Sequence, residues 1–275
     1  MSSHARPPFR TRSGVLTTLV RHRSLVFRLI KHDIAARYRG SVMGVFWALL
    51  QPLAMLVVFT LVFGTVLKAK WAGTGGNLDF ALVLFAGLLV FGVFSECLGK
   101  APSLVTQRTN LVKKVVFPLE VLAWVSVGVA SFNFAVGLAV WIAFYLALNA
   151  SLHWTILFLP LVILPIIFVG VAVGWLLGAL GVFLRDLEQA VAPISMAILF
   201  LSPVFFDLAS VPPEFRKWFL LNPMTFAIEQ ARLVMLGGRL PDVTGLCIAT
   251  LATYALAAAA LKFFFRARGE FADAV

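Results

Sequence analysis

Residues 121–184 run for 64 positions without a formal charge. About 20 predominantly apolar residues cross a hydrocarbon layer roughly 30 Å thick, so this run suits two crossings joined by a tight turn. The turn falls at residues 149–154, where Asn149, Ser151 and His153 interrupt the apolar sequence. His153 has no second histidine or carboxylate beside it and reads as an interfacial residue, not a ligand.

The rest of the chain repeats the pattern. Residues 42–67 form a first uncharged run of 26 positions, and residues 79–98 a second span with Glu96 near its end. Residues 189–206 give a fifth span of 18 uncharged positions, and residues 243–265 a last one closed by Arg266 and Arg268. With 61% hydrophobic and 13% charged residues, the chain lies outside the range of ordinary soluble domains. Six spans place both ends on one side of the membrane. Of the 23 Lys and Arg, 17 lie in the segments on the side of the termini and six elsewhere, which puts both termini inside. The net charge of +11 follows from lipid orientation, and nucleic acid is not an expected partner. Cys97 and Cys247 make neither a disulfide framework nor a metal site and are expected in the core.

Two segments depart from simple spans. Residues 1–23 are basic, carry Pro7 and Pro8, and read as a loose cytoplasmic tail without a cleavable signal. Residues 24–40 have helical periodicity, with Phe27, Ile30, Ile34 and Tyr38 on one face, Arg28, His32 and Arg39 on the other, and Lys31 and Arg37 flanking. This predicts an amphipathic helix in the membrane surface, leading through Gly40 and Ser41 into span one. Residues 207–242 are apolar without a clean spanning run. Pro212 and Pro213 start one short helix, Asn222-Pro223 ends it and starts another, and Gly237-Gly238 ends the second. The reading is a re-entrant hairpin in the outer leaflet, between spans five and six. The domain plan is thus a tail (1–23), an interface helix (24–40) and a six-span all-α membrane domain (41–275).

No phosphate loop, HExxH, paired CxxC or GxSxG motif is present, so nucleotide hydrolysis and acyl transfer have no visible machinery. Glu96 and Glu229 lie near interfaces and read as partners of neighbouring Lys or Arg. Lys31, Arg37 and Arg39 have two readings: anchorage to anionic lipid, or an entrance that gathers a phosphate-bearing lipid head group. Phe59 and Phe63, with Phe200, Phe205 and Phe206, either face lipid and neighbouring helices or offer rings to sugar in a wide pore.

Four motifs together resemble the permease subunit of ABC-2 type polysaccharide exporters, which move O-antigen, capsule or teichoic acid precursors. They are residues 33–41 (DIAARYRGS) with Gly44, Trp47 and Pro52, residues 114–120 (KVVFPLE), Arg185-Asp186, and Asn222-Pro223-Met224. The resemblance covers nearly the whole chain after about residue 20. It implies a homodimer in the bacterial inner membrane, with two ATP-binding subunits that carry ATP and Mg, and an undecaprenyl-type lipid-linked glycan as cargo. No cofactor or metal is expected on this chain, which is a transport subunit and not an enzyme. By analogy, His32, Asp33, Gln107, Arg108, Lys113, Lys114, Arg185 and Asp186 receive the ATPase movement. Pro212, Pro213, Trp218, Asn222 and Pro223 belong to a periplasmic gate, and spans one and five face the pore. The runner-up is an ABC-2 permease for a drug, lipid or other small amphiphile. A membrane transferase would need clustered carboxylates or an interfacial catalytic histidine, and a scaffold would need neither gate nor pore aromatics.

Overall fold

The computed structural model describes residues 14–41, 43–44, 46–66, 77–108, 117–149, 151–184 and 186–271. These residues are mostly helical, with no strand among them. The chain enters through α1 (Val15–Arg21) and α2 (Arg23–Tyr38). Helix therefore begins within the segment read as a loose tail. α2 ends where Arg39 turns extended and Gly40 takes φ 83°, a left-handed conformation that side-chain-bearing residues resist.

Of the α2 face predicted apolar, Ile30, Ile34 and Tyr38 are half-buried and Phe27 lies outside. Val26 is buried, Leu29, Ile30 and Asp33 are half-buried, and Phe27 is 58% exposed. Ile30 sits over Gly128 of α5 (Val121–Asn149), whose missing side chain admits it. Asp33 and Arg37 both have partners on neighbouring segments.

Five helices are long and apolar enough to cross a membrane: Phe46–Phe63, Phe80–Lys100, Val121–Asn149, Trp154–Phe183 and Val243–Glu270. They contain α3 (Phe46–Phe59) with a π-helical continuation Thr60–Val66, α4 (Asn77–Lys100), α5, α6 (Leu159–Phe183) and α10 (Val243–Ala267). The segment read as span five is shorter than expected. α7 (Leu187–Phe200) has 14 residues, about 21 Å of helix, and residues 201–206 are turns. Pro203 explains the stop, since it biases Ser202 away from helical geometry and brings no N–H of its own. Two short helices follow, α8 (Pro213–Leu221) and α9 (Pro223–Met235), broken at Asn222.

α4 forms the centre of the bundle and packs against α5, α6 and α9, while α10 lies along α6. Small residues make this possible. A side chain at Gly170 or Gly174 of α6 would meet Cys97, Val127 or Ala123 at about 3 Å, so the helices approach to backbone range there. Buried indoles fix the register: Trp141 Nε1 donates to the Leu82 carbonyl at 3.0 Å and Trp175 Nε1 to the Glu120 carbonyl at 2.9 Å. Cys97 is buried, but Cys247 is exposed on α10, contrary to the core position expected for it. α3 is the least enclosed span: 11% of its window is buried within the chain, against 78% for α4. Its large apolar side chains therefore need lipid or a second protein surface.

Candidate functional site

The bundle has two chemically distinct ends. At the basic end, α2 crosses the C-terminal half of α4 and the N-terminal half of α5. Asp33 accepts from Arg108 Nη2, which lies in the 3-10 turn Thr106–Arg108. One helical turn on, Arg37 Nη2 donates to Glu96 of α4. Asp33 and Arg37 are four residues apart and so share a face, which lets one helix make both ion pairs. Glu96 is a hub. Lys100 Nζ donates to its Oε1 at 2.9 Å and Asn133 Nδ2 of α5 to its Oε2 at 2.6 Å. Partial burial works against the charged form of Arg37, but the hydrogen bond to Glu96 and its negative charge outweigh this and raise the Arg37 pKa. A cleft of about 500 Å³ beside the pairs is lined by Asp33, Arg37, Lys100, Gln107 and Arg108.

The basic residues predicted at an entrance are held in different ways. Arg37 is tied to Glu96, Lys31 Nζ lies 4.7 Å over the Phe27 ring, and Arg39 is exposed past the end of α2. Of the residues assigned to coupling, Asp33 and Arg108 meet, His32 Nδ1 lies 3.5 Å from Asp33, and Gln107 and Asp186 are exposed. Lys113, Lys114 and Arg185 lie outside the described residues.

The end of α10 is fastened at the same basic end. Arg268 Nη1 donates to Glu120 Oε2 at 2.9 Å and Nη2 to the Phe117 carbonyl at 3.0 Å, while Phe271 is buried against Phe183 and Phe264. Glu120 is itself 7% exposed, so removing its partner leaves a nearly buried charge. Arg268→Ala is expected to cost about 2 kcal/mol, read as a lower melting temperature in detergent, with Arg268→Lys recovering part of the loss.

At the opposite end the aromatic residues and the two short helices converge. Phe206 meets Phe219 of α8 edge-on at 5.4 Å, and Phe200 and Phe205 lie 5.7 Å apart, with Phe200 61% exposed. Phe59 and Phe63 are half-buried, and Phe63 stacks on Phe80 of α4 at 5.6 Å. Pro212, Pro213 and Trp218 are exposed. Asn222 caps α9, its Oδ1 accepting from the Met224 amide at 3.0 Å, with Pro223 at the first helical position. Ser95 and Ser195 share a hydrogen bond of 2.9 Å between α4 and α7.

The sequence reading overlooked Arg232, counting it only as one of six charges on the far side. It is 7% exposed in α9, donating to the carbonyls of Val83, Pro203 and Val204. Glu229, three residues before it, lies 3.5 Å from Arg232 Nη1, and the signal was available, since an arginine in a largely apolar stretch needs internal partners. Asn133 was missed for the opposite reason: a single amide in a span carries no such alarm. Among the described residues no group of three His, Cys, Asp or Glu could hold a metal ion. The arrangement at both ends is one of ion pairs and backbone latches that hold helices in place.

The family model described as ABC-2 type transporter matches residues 24–236. The chain is 29% identical to the O-antigen export system permease protein RfbA of Myxococcus xanthus, over 94% of this chain and 97% of that protein. It is 22% identical to the protein of the same name from Klebsiella pneumoniae, over 90% and 94%. It is also 23% identical to the polysialic acid transport protein KpsM of Escherichia coli, over 83% and 86%.

Proposed function

Since this chain belongs to the ABC-2 type transporter family, we propose that it is the channel-forming permease subunit of an ATP-driven exporter. Its cargo is a lipid-linked, O-antigen-like polysaccharide on an undecaprenyl-type carrier, moved outward across the bacterial inner membrane. The single observation that carries this reading is the end-to-end correspondence with an O-antigen export permease. Two copies of the chain work with two ATP-binding subunits, which hold ATP and Mg. The poorly enclosed α3 supports the second copy, because its apolar side chains give one wall of a passage that a single chain leaves open.

α7 serves as a shortened sixth pass, completed by residues 201–206 and the hairpin of α8 and α9. With six passes both ends of the chain lie in the cytoplasm, where the basic end meets the ATP-binding subunits. The hairpin then lies at the periplasmic face as a gate. Lys31 and Arg39 keep exposed cationic heads for a phosphate at the cytoplasmic entrance, and α2, held by Asp33 and Arg37, is the lever through which ATPase movement arrives.

Depleting the chain in its host tests the proposal. Surface polysaccharide is expected to fall to background while lipid-linked polymer accumulates inside the inner membrane, and a plasmid copy restores export. Surface polysaccharide that persists, or ATP hydrolysis by the purified chain alone, overturns it.

A further inference from the structure

The two helices of the hairpin are held in very different ways. α9 is embedded: Met224, Ala227, Ile228, Ala231, Val234 and Met235 are at most 1% exposed. It packs on α4 and α6, and Thr155 Oγ1 donates to its Val234 carbonyl at 2.6 Å. α8 is the reverse, with Phe215, Trp218 and Leu220 all more than half exposed. Its arginine turns back on its own lead-in, Arg216 donating to the carbonyls of Val211 and Ala209 at 2.8 and 2.6 Å. Between α8 and the bundle lies an apolar cavity of about 470 Å³, lined by Phe94, Ile198, Leu201, Trp218 and Phe219 among others.

The broken end of α7 is stapled to α9, not to α8. Residues 201–204 have left the helix, so their polar groups need partners from elsewhere. Asn222 Nδ2 donates to the Leu201 carbonyl at 3.2 Å and to Ser202 Oγ at 2.9 Å. Arg232 Nη1 and Nη2 donate to the carbonyls of Pro203 and Val204 at 2.5 and 2.7 Å, and its Nε to Val83 of α4 at 3.1 Å. Four consecutive residues are thus held from the two ends of α9. Gly87 leaves the room for this: a side chain there would come within 2.8 Å of Arg232 Nη2.

We infer that the gate is divided: α9, with Arg232 and Asn222, is a fixed post that holds the end of α7 still, and α8 alone is the moving flap. This rests on the exporter reading above and narrows its gate to residues 207–221. Arg232 is a positioning residue. Moving α9 would strip hydrogen bonds from the three buried carbonyls of Val83, Pro203 and Val204 at once, whereas α8 can tilt into the cavity beneath it by giving up the Phe206–Phe219 ring contact.

Hydrogen exchange read by mass spectrometry on the full chain, copurified with its ATP-hydrolysing subunit, tests this. Without nucleotide, amides of residues 213–221 are expected to exchange at least about tenfold faster than those of residues 201–206 and 223–235. Adding a non-hydrolysable ATP analogue is expected to change residues 207–221 only. In Arg232→Lys, whose ammonium cannot span three carbonyls, the nucleotide response spreads to residues 201–206 and α9. Equal exchange in α8 and α9, a nucleotide response shared by both in the wild type, or no response in α8 overturns the divided gate. Should Arg232→Lys not fold, the two wild-type comparisons still decide. If no ATP-hydrolysing subunit copurifies, the exporter reading fails, and the nucleotide-free contrast still tests the fixed post.

Discussion

Gly181→Ala is expected to lower stability by about 3 kcal/mol, the upper end for overpacking a close-fitted interior. A Cβ at Gly181 would lie 2.0 Å from the Pro102 carbonyl oxygen and within 3 Å of two further Pro102 backbone atoms. Backbone cannot swing aside as a side chain does, so α6 and the turn after α4 must separate. The segment after α4 carries Arg108 and lines the cleft beside α2, so the disturbance reaches the basic end directly. Gly178→Ala, one turn earlier, is the control. Its Cβ would meet the Ala101 carbonyl at 3.4 Å, near ordinary contact, and the substitution is expected to cost less than about 1 kcal/mol. Thermal unfolding of both variants in the same detergent checks the contrast, and equal melting temperatures would show that the helices part without cost.

Glu96→Ala is expected to be comparably severe, at about 3 kcal/mol. It strands three donors that converge on one carboxylate: Arg37, Lys100 and Asn133. Breaking a well-buried ion pair costs about 3–5 kcal/mol. The lower end applies here because the Arg37 and Lys100 side chains are 37% and 39% exposed and can find water. Glu96→Gln keeps an acceptor for Asn133 and should recover part of the loss. A double-mutant cycle with Arg37→Ala separates the contact between α2 and α4 from the internal pair with Lys100. Loss of that contact should also make the α2–α3 junction readily cut by protease in nanodiscs, while cleavage unchanged from wild type would count against α2 being held through Glu96.

The same residues mark what could be read in advance. Glu96 was expected to pair with a nearby cation, because a carboxylate close to a span's end has few other ways to be satisfied. Lys100, four residues on, was within local reach. Arg37, 59 residues away in the chain, was not, and neither was the Asp33–Arg108 pair, separated by 75. Periodicity placed α2 as a helix, and of its apolar face Ile30, Ile34 and Tyr38 are half-buried while Phe27 lies outside. Hydropathy overestimated the helical length of α7. Residues 189–206 are uncharged and long enough to span, but Pro203 inside them mattered more than hydropathy once Asn222 and Arg232 were placed to accept the broken end.

The sequence by itself determined five segments long and apolar enough to cross a bilayer, that the described chain is helical there, and where Asn222-Pro223 interrupts it. Those are local properties, because the lipid acts on each stretch through its own composition and each backbone must satisfy itself. Only the tertiary structure decided which charges meet and that α9 is embedded while α8 is exposed. Such outcomes depend on side chains brought together from distant parts of the chain, and their free energy exists only once the helices are in contact.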